Sequence, residues 1–258
     1  MGEIPASAGS SAVASVRFVI VGARRTGSNW LCTLIDSHPA ILCHHELFNP
    51  AGIFYAQRLR DSALCLGSVS ERDADPVSFL DRIWRHTAGH RCVGFKMTHG
   101  QAESVLEGVL ADPAVRKIVL RRHNRVKTCV SEKVAELLGS WEVYDEADLP
   151  VRRPRVDLDP RELREHAARN EHFYERVEAS IEGTGQACLR VDYENLQRPE
   201  EQARLLRYLD AVPGDAPLEP TSVKQNPVDL REVVRNFDAL AEALRGDPLR
   251  DELLDREA

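Results

Sequence analysis

The stretch VGARRTGSNW, residues 21–30, follows the apolar run Val16, Phe18, Val19 and Ile20. Gly22 and Gly27 stand five apart, the spacing of the GxxxxGK[ST] loop whose backbone cradles nucleotide phosphates. That loop needs a lysine and a hydroxyl after its second glycine. Here Ser28 and Asn29 follow instead, and the cations Arg24 and Arg25 lie inside the loop. A strand, an Arg-bearing glycine loop and a helix in that order predict an α/β domain with an anion at the helix start.

The rest of the chain repeats this pattern. Short apolar runs at Val16–Val21, Ile41–Cys43, Cys92–Met97, Lys117–Leu120 and Ala187–Val191 predict strands of a parallel sheet, with amphipathic crossovers between them. Helices are expected over Ser28–Asp36 and Gln101–Ala111, and from Asn124, an N-cap, with Val126, Val130, Val134 and Leu137 facing the core. Asp159-Pro160 opens another, with Leu163, Ala167, Phe173, Tyr174, Val177 and Ile181 inward and Gly183 at its end. Pro199–Asp210 and Asp229–Arg245 suggest two more. Phe79, Ile83 and Trp84 suit the core face of a helix, while residues 139–160, with Pro150, Pro154 and Pro160, suggest a long mobile connection.

One domain is expected over residues 15–258, after a small, polar and disordered arm at residues 1–14. That arm lacks the basic and apolar regions of an export signal, and Ala6 stands where a myristoylation signal wants Ser or Thr. The six cysteines form no CxxC pair and suit reduced core residues of a cytoplasmic protein. Neither they nor His44-His45-Glu46 has the spacing of a metal site, and no apolar stretch approaches the ~20 residues that span a bilayer. The net charge of −7 argues against nucleic acid or anionic membrane as partners. Yet residues 17–35 and 113–131 contain no acid, where each window should hold about three of the 41. A local anion site within an acidic protein, or two solvated basic surfaces, would explain this.

In an open parallel sheet, ligands bind beyond the carboxyl ends of the strands. Arg24–Asn29, His44–Glu46, Lys96 with Thr98 and His99, Arg121–Asn124 and Asp192–Glu194 all fall there. GARRTGSNWL, HHELFNP, FKMTH, LRRHNRVKTCVSEKVA, VDYENL and VKQNP, in that order, resemble the sulfotransferases that use 3′-phosphoadenosine 5′-phosphosulfate. The nearest likeness is to the bacterial branch acting on sugars and other small metabolites, and it covers roughly residues 16–245.

The resemblance implies a P-loop-like central parallel sheet flanked by helices. Around the 5′-phosphosulfate it places Arg25, Thr26, Gly27, Ser28 and Asn29, with Arg24 beside them. Trp30 and Tyr193 fall near adenine, while Arg122 and Ser131 grip the 3′-phosphate and Lys224 closes over it. Arg121 replaces Arg122 if the strand register shifts by one, and Glu194 serves local structure. Trp30 otherwise suits core packing, and Ser131, Lys96 and Lys224 otherwise suit a solvated surface.

Sulfuryl transfer is an in-line displacement that needs positioned reactants, a stabilised leaving oxygen and a base for the acceptor hydroxyl. No metal is expected. Arg25 cannot readily give up a proton, so its expected part is electrostatic. Glu46 matches the carboxylate base of the sugar-sulfating branch, and His99 matches less well the histidine base of the phenol and steroid branch, being one residue too far from Lys96. His45 is a third candidate, and Glu46 also suits an ion pair with Arg24 or Arg25. A small-molecule kinase shares the loop spacing but needs the missing Lys-Ser/Thr ending and Mg²⁺ ligands. A non-catalytic nucleotide-binding protein of this fold would bind without turnover. The acceptor is expected between residues 50–80 and 139–160, with Trp141 and Tyr144. Neither stretch has a motif that selects it, and nothing in the sequence speaks to oligomeric state.

Overall fold

The computed structural model describes residues 16–60, 62, 64–151, 154–212, 217–225 and 229–256. The arm expected at residues 1–14 lies outside the described residues. Five strands, β1 (Val16–Gly22), β2 (Ile41–His44), β3 (Cys92–Thr98), β4 (Val115–Arg121) and β5 (Cys188–Asp192), pair in the order β2-β3-β1-β4-β5. Every pairing is parallel, so all carboxyl ends share one edge. The helices are α1 (Ser28–Asp36), α2 (Val69–Ala74), α3 (Pro76–Arg85), α4 (Glu103–Ala111), α5 (Arg125–Leu138), α6 (Pro160–Thr184), α7 (Pro199–Tyr208), α8 (Phe237–Ala243) and α9 (Leu249–Leu254). This is the α/β architecture that the sequence predicts.

Alternation along β1 divides the core into two layers. Val19 and Val21 face one side with Phe95 and Met97, under Phe79 and Ile83 of α3 and Phe173 and Val177 of α6. Phe18 and Ile20 face the other with Ile118 and Leu120, against Leu31 and Ile35 of α1 and Leu205 of α7. A third cluster joins Val126, Val130 and Val134 of α5 to Leu163 of α6, Leu240 of α8 and Leu253 of α9.

Several boundaries differ from expectation. Leu137 is 64% exposed, because no described element covers the last turn of α5 before Gly139 ends it at φ 62°. Gly183 lies within α6, and Gly185 at φ 65° is the residue that stops it. The helix expected at Asp229–Arg245 is broken. Val156 bridges Val234, donating to the Val233 carbonyl and accepting from Arg235 N, so only a short 3-10 turn and α8 form. Among the described residues no helix is long and apolar enough to cross a membrane. Cys32, Cys43, Cys92 and Cys129 are buried, Cys188 is partly so, and Cys65 is exposed.

Phe18 of β1 pairs with Gly94 of β3, and its ring fills the space where a side chain at 94 would stand. A Cβ there would lie 2.4 Å from the ring. Gly94→Ala should therefore cost about 1–3 kcal/mol, the usual price of overpacking a closed core. Urea unfolding measures it, and an unchanged midpoint would show that the Phe18 ring moves freely.

Candidate active site

Beyond the carboxyl edge lies a cleft of about 530 Å³. Its floor is the loop after β1. Tyr174 of α6 sets the start of that loop, accepting from Ala23 N at 3.0 Å and donating to the Leu120 carbonyl at 2.7 Å. Arg25 holds a left-handed backbone at φ 62°, an uncommon place for a side chain. Gly27 follows at φ 89°, and a Cβ there would meet the Tyr193 ring at 2.2 Å, so only glycine fits. Gly27 caps α1 with no side-chain acceptor, and no acid stands in the first turn. The first N–H groups of α1 thus face the cleft without a side-chain partner.

Two guanidiniums meet above this floor, and among the described residues neither has a carboxylate partner. Arg122 stacks over Tyr193 at 4.6 Å and donates weakly to the Arg25 carbonyl at 3.5 Å. Burial lowers the pKa of Arg122, against the influence of Tyr193 and Glu194, which raises it. Arg25 spends its fork on neutral acceptors: Ser131 Oγ at 2.9 Å, the Trp141 carbonyl at 2.6 Å and Gln225 Oε1 at 2.5 Å. The expected loop clamp therefore also ties α5 to two flanking segments. One is 141–143 and the other 222–225, and Val223 N donates to the Val143 carbonyl at 2.8 Å.

Glu46 faces the same cleft from beyond β2. It pairs with neither Arg24 nor Arg25. Its Oε1 accepts from Lys96 Nζ at 3.0 Å and its Oε2 from Asn49 Nδ2 at 2.5 Å. Burial alone would raise the Glu46 pKa, but Lys96 and Asn49 outweigh it and hold the carboxyl below its ordinary value, while Glu142 opposes them. Lys96, a fully buried residue of β3, also donates to Asn29 Oδ1.

The cleft thus gathers Arg24, Arg25, Gly27, Ser28, Asn29 and Trp30 with Glu46, Arg122, Ser131, Tyr193 and Lys224. Trp30 of α1 both lines the cleft and packs against the core. Arg24 leans toward Glu132 at 3.7 Å. Glu194 accepts from His123 N at 3.0 Å, a local structural contact.

Three expected residues stand elsewhere. The Thr26 hydroxyl turns into the protein and donates to the Ala23 carbonyl at 2.7 Å. Arg121 lies over Tyr174 at 4.2 Å and pairs with Glu171, which leaves Arg122 as the cleft arginine. His99 packs on Phe173 and does not line the cleft. Strand alternation explains this, since Lys96 and Thr98 share the cleft side and the next residue falls opposite. His45 is buried behind Glu46, with Nδ1 3.3 Å from Glu142 Oε1.

Glu142 carries no motif and was not legible in the sequence. It lines the cleft and meets Arg60 at 3.0 Å, Lys96 at 3.8 Å, His45 and the Tyr144 hydroxyl. Burial would raise its pKa, but His45, Lys96 and Tyr144 together hold it far below the carboxylate range. His45 is pushed down by burial and raised further by Cys32 and Glu142, to about 9. Pro50, Ala51, Phe54, Trp141, Val143 and Val223 complete the wall away from the loop, whereas Pro150 and Pro154 take no part. Among the described residues no group of three His, Cys, Asp or Glu side chains converges as a metal site would.

No protein-family model matches the chain, and neither does any curated protein. Solved structures do resemble it, among them three that each cover more than nine-tenths of its length. A sulfotransferase from Alicyclobacillus acidocaldarius is 16% identical, with 94% of this chain and 96% of that one covered and a TM-score of 0.47. The sulfotransferase domain from the Synechococcus PCC 7002 olefin synthase is 15% identical, covering 93% and 92%, at 0.41. The sulfotransferase domain from the curacin biosynthetic pathway is 13% identical, covering 93% and 95%, also at 0.41.

A lysine at position 25 offers one ammonium where Arg25 offers a rigid fork. Arg25→Lys should therefore release Ser131, Trp141 and Gln225 from their common tie. Amide hydrogen exchange across 141–143 and 222–225 should rise at least tenfold. Unchanged protection there would show that other contacts hold the two segments.

Proposed function

We propose that this chain is a sulfotransferase that moves a sulfuryl group from 3′-phosphoadenosine 5′-phosphosulfate to a hydroxyl of a sugar or other small metabolite. The observation that carries the reading is the pair of cleft-facing guanidiniums, Arg25 and Arg122, set beside an uncapped helix start and lacking a carboxylate partner among the described residues. Partly buried cations with no ion-paired carboxylate suit a ligand bearing two separated anionic groups. A mononucleotide with one phosphate cluster would leave one of them unmatched.

The residues fit the donor as follows. The first N–H groups of α1, with Ser28 and Asn29, would receive the 5′ group, and the bare face of Gly27 permits close approach. Arg122 and Ser131 would hold the 3′-phosphate, with Lys224 on the same wall. Trp30 and Tyr193 offer aromatic surface for a base. Arg25 already touches Ser131, so one guanidinium stands between the two anchors and can exchange a neutral acceptor for an anionic one. Bound there, the donor supplies a sulfuryl group open to in-line attack by a hydroxyl.

Glu46 is the base in this reading. Its carboxylate stays ionised at neutral pH, and it lines the same cleft as the anion loop. Lys96 and Asn29 join it to that loop. Arg25 acts by charge alone on the leaving oxygen. His99, on the far side of the strand end, has no part. Phe54, Trp141 and Val143 offer the acceptor an apolar and aromatic wall. The mostly buried, unpaired cysteines suit a cytoplasmic protein.

Adenosine 3′,5′-bisphosphate should raise the melting temperature without metal, because it binds only the folded state. Mg·ATP should do so far less, and equal stabilisation by both would favour a kinase. Arg122→Ala should cost the bisphosphate about 2–3 kcal/mol of affinity and adenosine 5′-phosphate little. Equal losses for the two would remove Arg122 from the 3′-phosphate.

Glu46→Gln should slow turnover about 10²–10⁴-fold while leaving bisphosphate affinity nearly unchanged. Because the Glu46 pKa lies below its ordinary value, the wild-type rate should hold through mildly acidic pH and fall only below the usual carboxylate range. A fall centred near neutral pH would point to a histidine instead.

A further inference from the structure

The Lys96 ammonium is shared between two carboxylates, at 3.0 Å from Glu46 and 3.8 Å from Glu142. A base gripped by a single buried lysine is a poor proton acceptor, since the cation favours its ionised form. Glu142 competes for that cation. Its own place is fixed by Arg60, by His45 and by the Tyr144 hydroxyl, none of which is a cleft-lining residue. Its neighbours tie it to the loop after β1 and to the 222–225 segment: the Trp141 carbonyl accepts from Arg25 and the Val143 carbonyl from Val223 N.

Resting on the transfer reading above, we propose that Glu142 is a positioning residue that shares the Lys96 charge with Glu46 and so keeps Glu46 able to accept the proton of the attacking hydroxyl. In this role Glu142 acts through Lys96. The charged groups facing Glu46 are Lys96 from β3, Glu142 from the segment after α5, and Arg25 from the loop after β1, with His45 beside it in the chain. Asn29 and Asn49 are the neutral ones. Of the acids among these, Glu142 raises the affinity of Glu46 for a proton. Removing its charge lets Lys96 act on Glu46 alone, and the Glu46 titration moves to lower pH. Glu142 also helps His45 keep its proton, and any loss of that charge opposes the fall, so a net fall understates the coupling.

A purely structural role has the opposite sign. Loosening the 141–144 segment would hydrate Lys96 and Glu46, and the Glu46 titration would rise toward its ordinary value. Tyr144→Phe supplies a second test, because it removes a donor from Glu142 and leaves more of its charge for Lys96. That variant should move Glu46 upward.

The experiment is a pH titration of the full chain labelled with ¹³C-glutamate, the Glu46 carboxyl signal being assigned by its loss in Glu46→Gln. Beside it runs hydrolysis of 3′-phosphoadenosine 5′-phosphosulfate with water as acceptor. Glu142→Gln should lower the Glu46 midpoint by at least half a pH unit and slow hydrolysis by about two- to threefold for each half unit. Bisphosphate affinity should stay within about threefold. A midpoint that stays or rises in Glu142→Gln overturns the proposal. Should that variant not fold, an unmoved or lowered midpoint in Tyr144→Phe overturns it equally. A chain that binds no bisphosphate sinks the transfer reading whatever the midpoints do. Unmoved midpoints in a chain that binds it remove only the role of Glu142.

Discussion

A lysine ammonium buried at the end of a central strand must find acceptors, and those acceptors then have little freedom. Lys96 finds two, Asn29 at the start of α1 and Glu46 beyond β2, with the Glu142 carboxylate 3.8 Å away across the cleft. One buried charge thereby draws the loop after β1, Glu46 and a flanking segment into a single arrangement. Lys96 is on β3, which lies between β1 and β2, and this sheet order is what lets one side chain reach the ends of both neighbours.

A second tie runs at right angles to the first in function. Arg25 joins α5 to residues 141 and 225 through three neutral acceptors, so the two cleft walls meet on the same loop that faces the ligand. An arriving anion competes for that fork. On the proposed reading, ligand entry and the placing of the walls would be coupled through it, and Arg25 itself holds a left-handed backbone. Gly27 and Tyr193 form the complementary half, a backbone without a side chain lying against an aromatic ring that itself carries Arg122.

The sheet was legible in the sequence because β1, β3 and β4 are buried on both faces and appear as continuous apolar runs ending in polar clusters. The loop, Glu46 and Arg122 were legible for the same reason, since each directly follows such a run. Thr26 and His99 occupy equally suggestive positions; a hydrogen bond to the Ala23 carbonyl turns the Thr26 hydroxyl inward, and for His99 it is side-chain direction just past the strand end that sends it away from the cleft. That direction depends on a single residue of register. Glu142 could not be found, because its importance comes from four partners brought together by the fold, and its own segment has neither periodicity nor motif. The break between Asp229 and α8 was hidden likewise, being imposed by pairing with Val156, more than seventy residues earlier in the chain. The short α9 offers too few residues for periodicity to register.

On the proposed function, one cleft holds two separated phosphates at two different cationic anchors, with Glu46 as a carboxylate base on the opposite wall. A crystal structure with adenosine 3′,5′-bisphosphate tests this arrangement. The 5′-phosphate should lie on the N–H groups at the start of α1 and the 3′-phosphate on Arg122 and Ser131, with Glu46 facing the 5′ end across open space. A nucleotide bound in the reverse sense, or outside the cleft formed by Gly27, Arg122 and Tyr193, would contradict it.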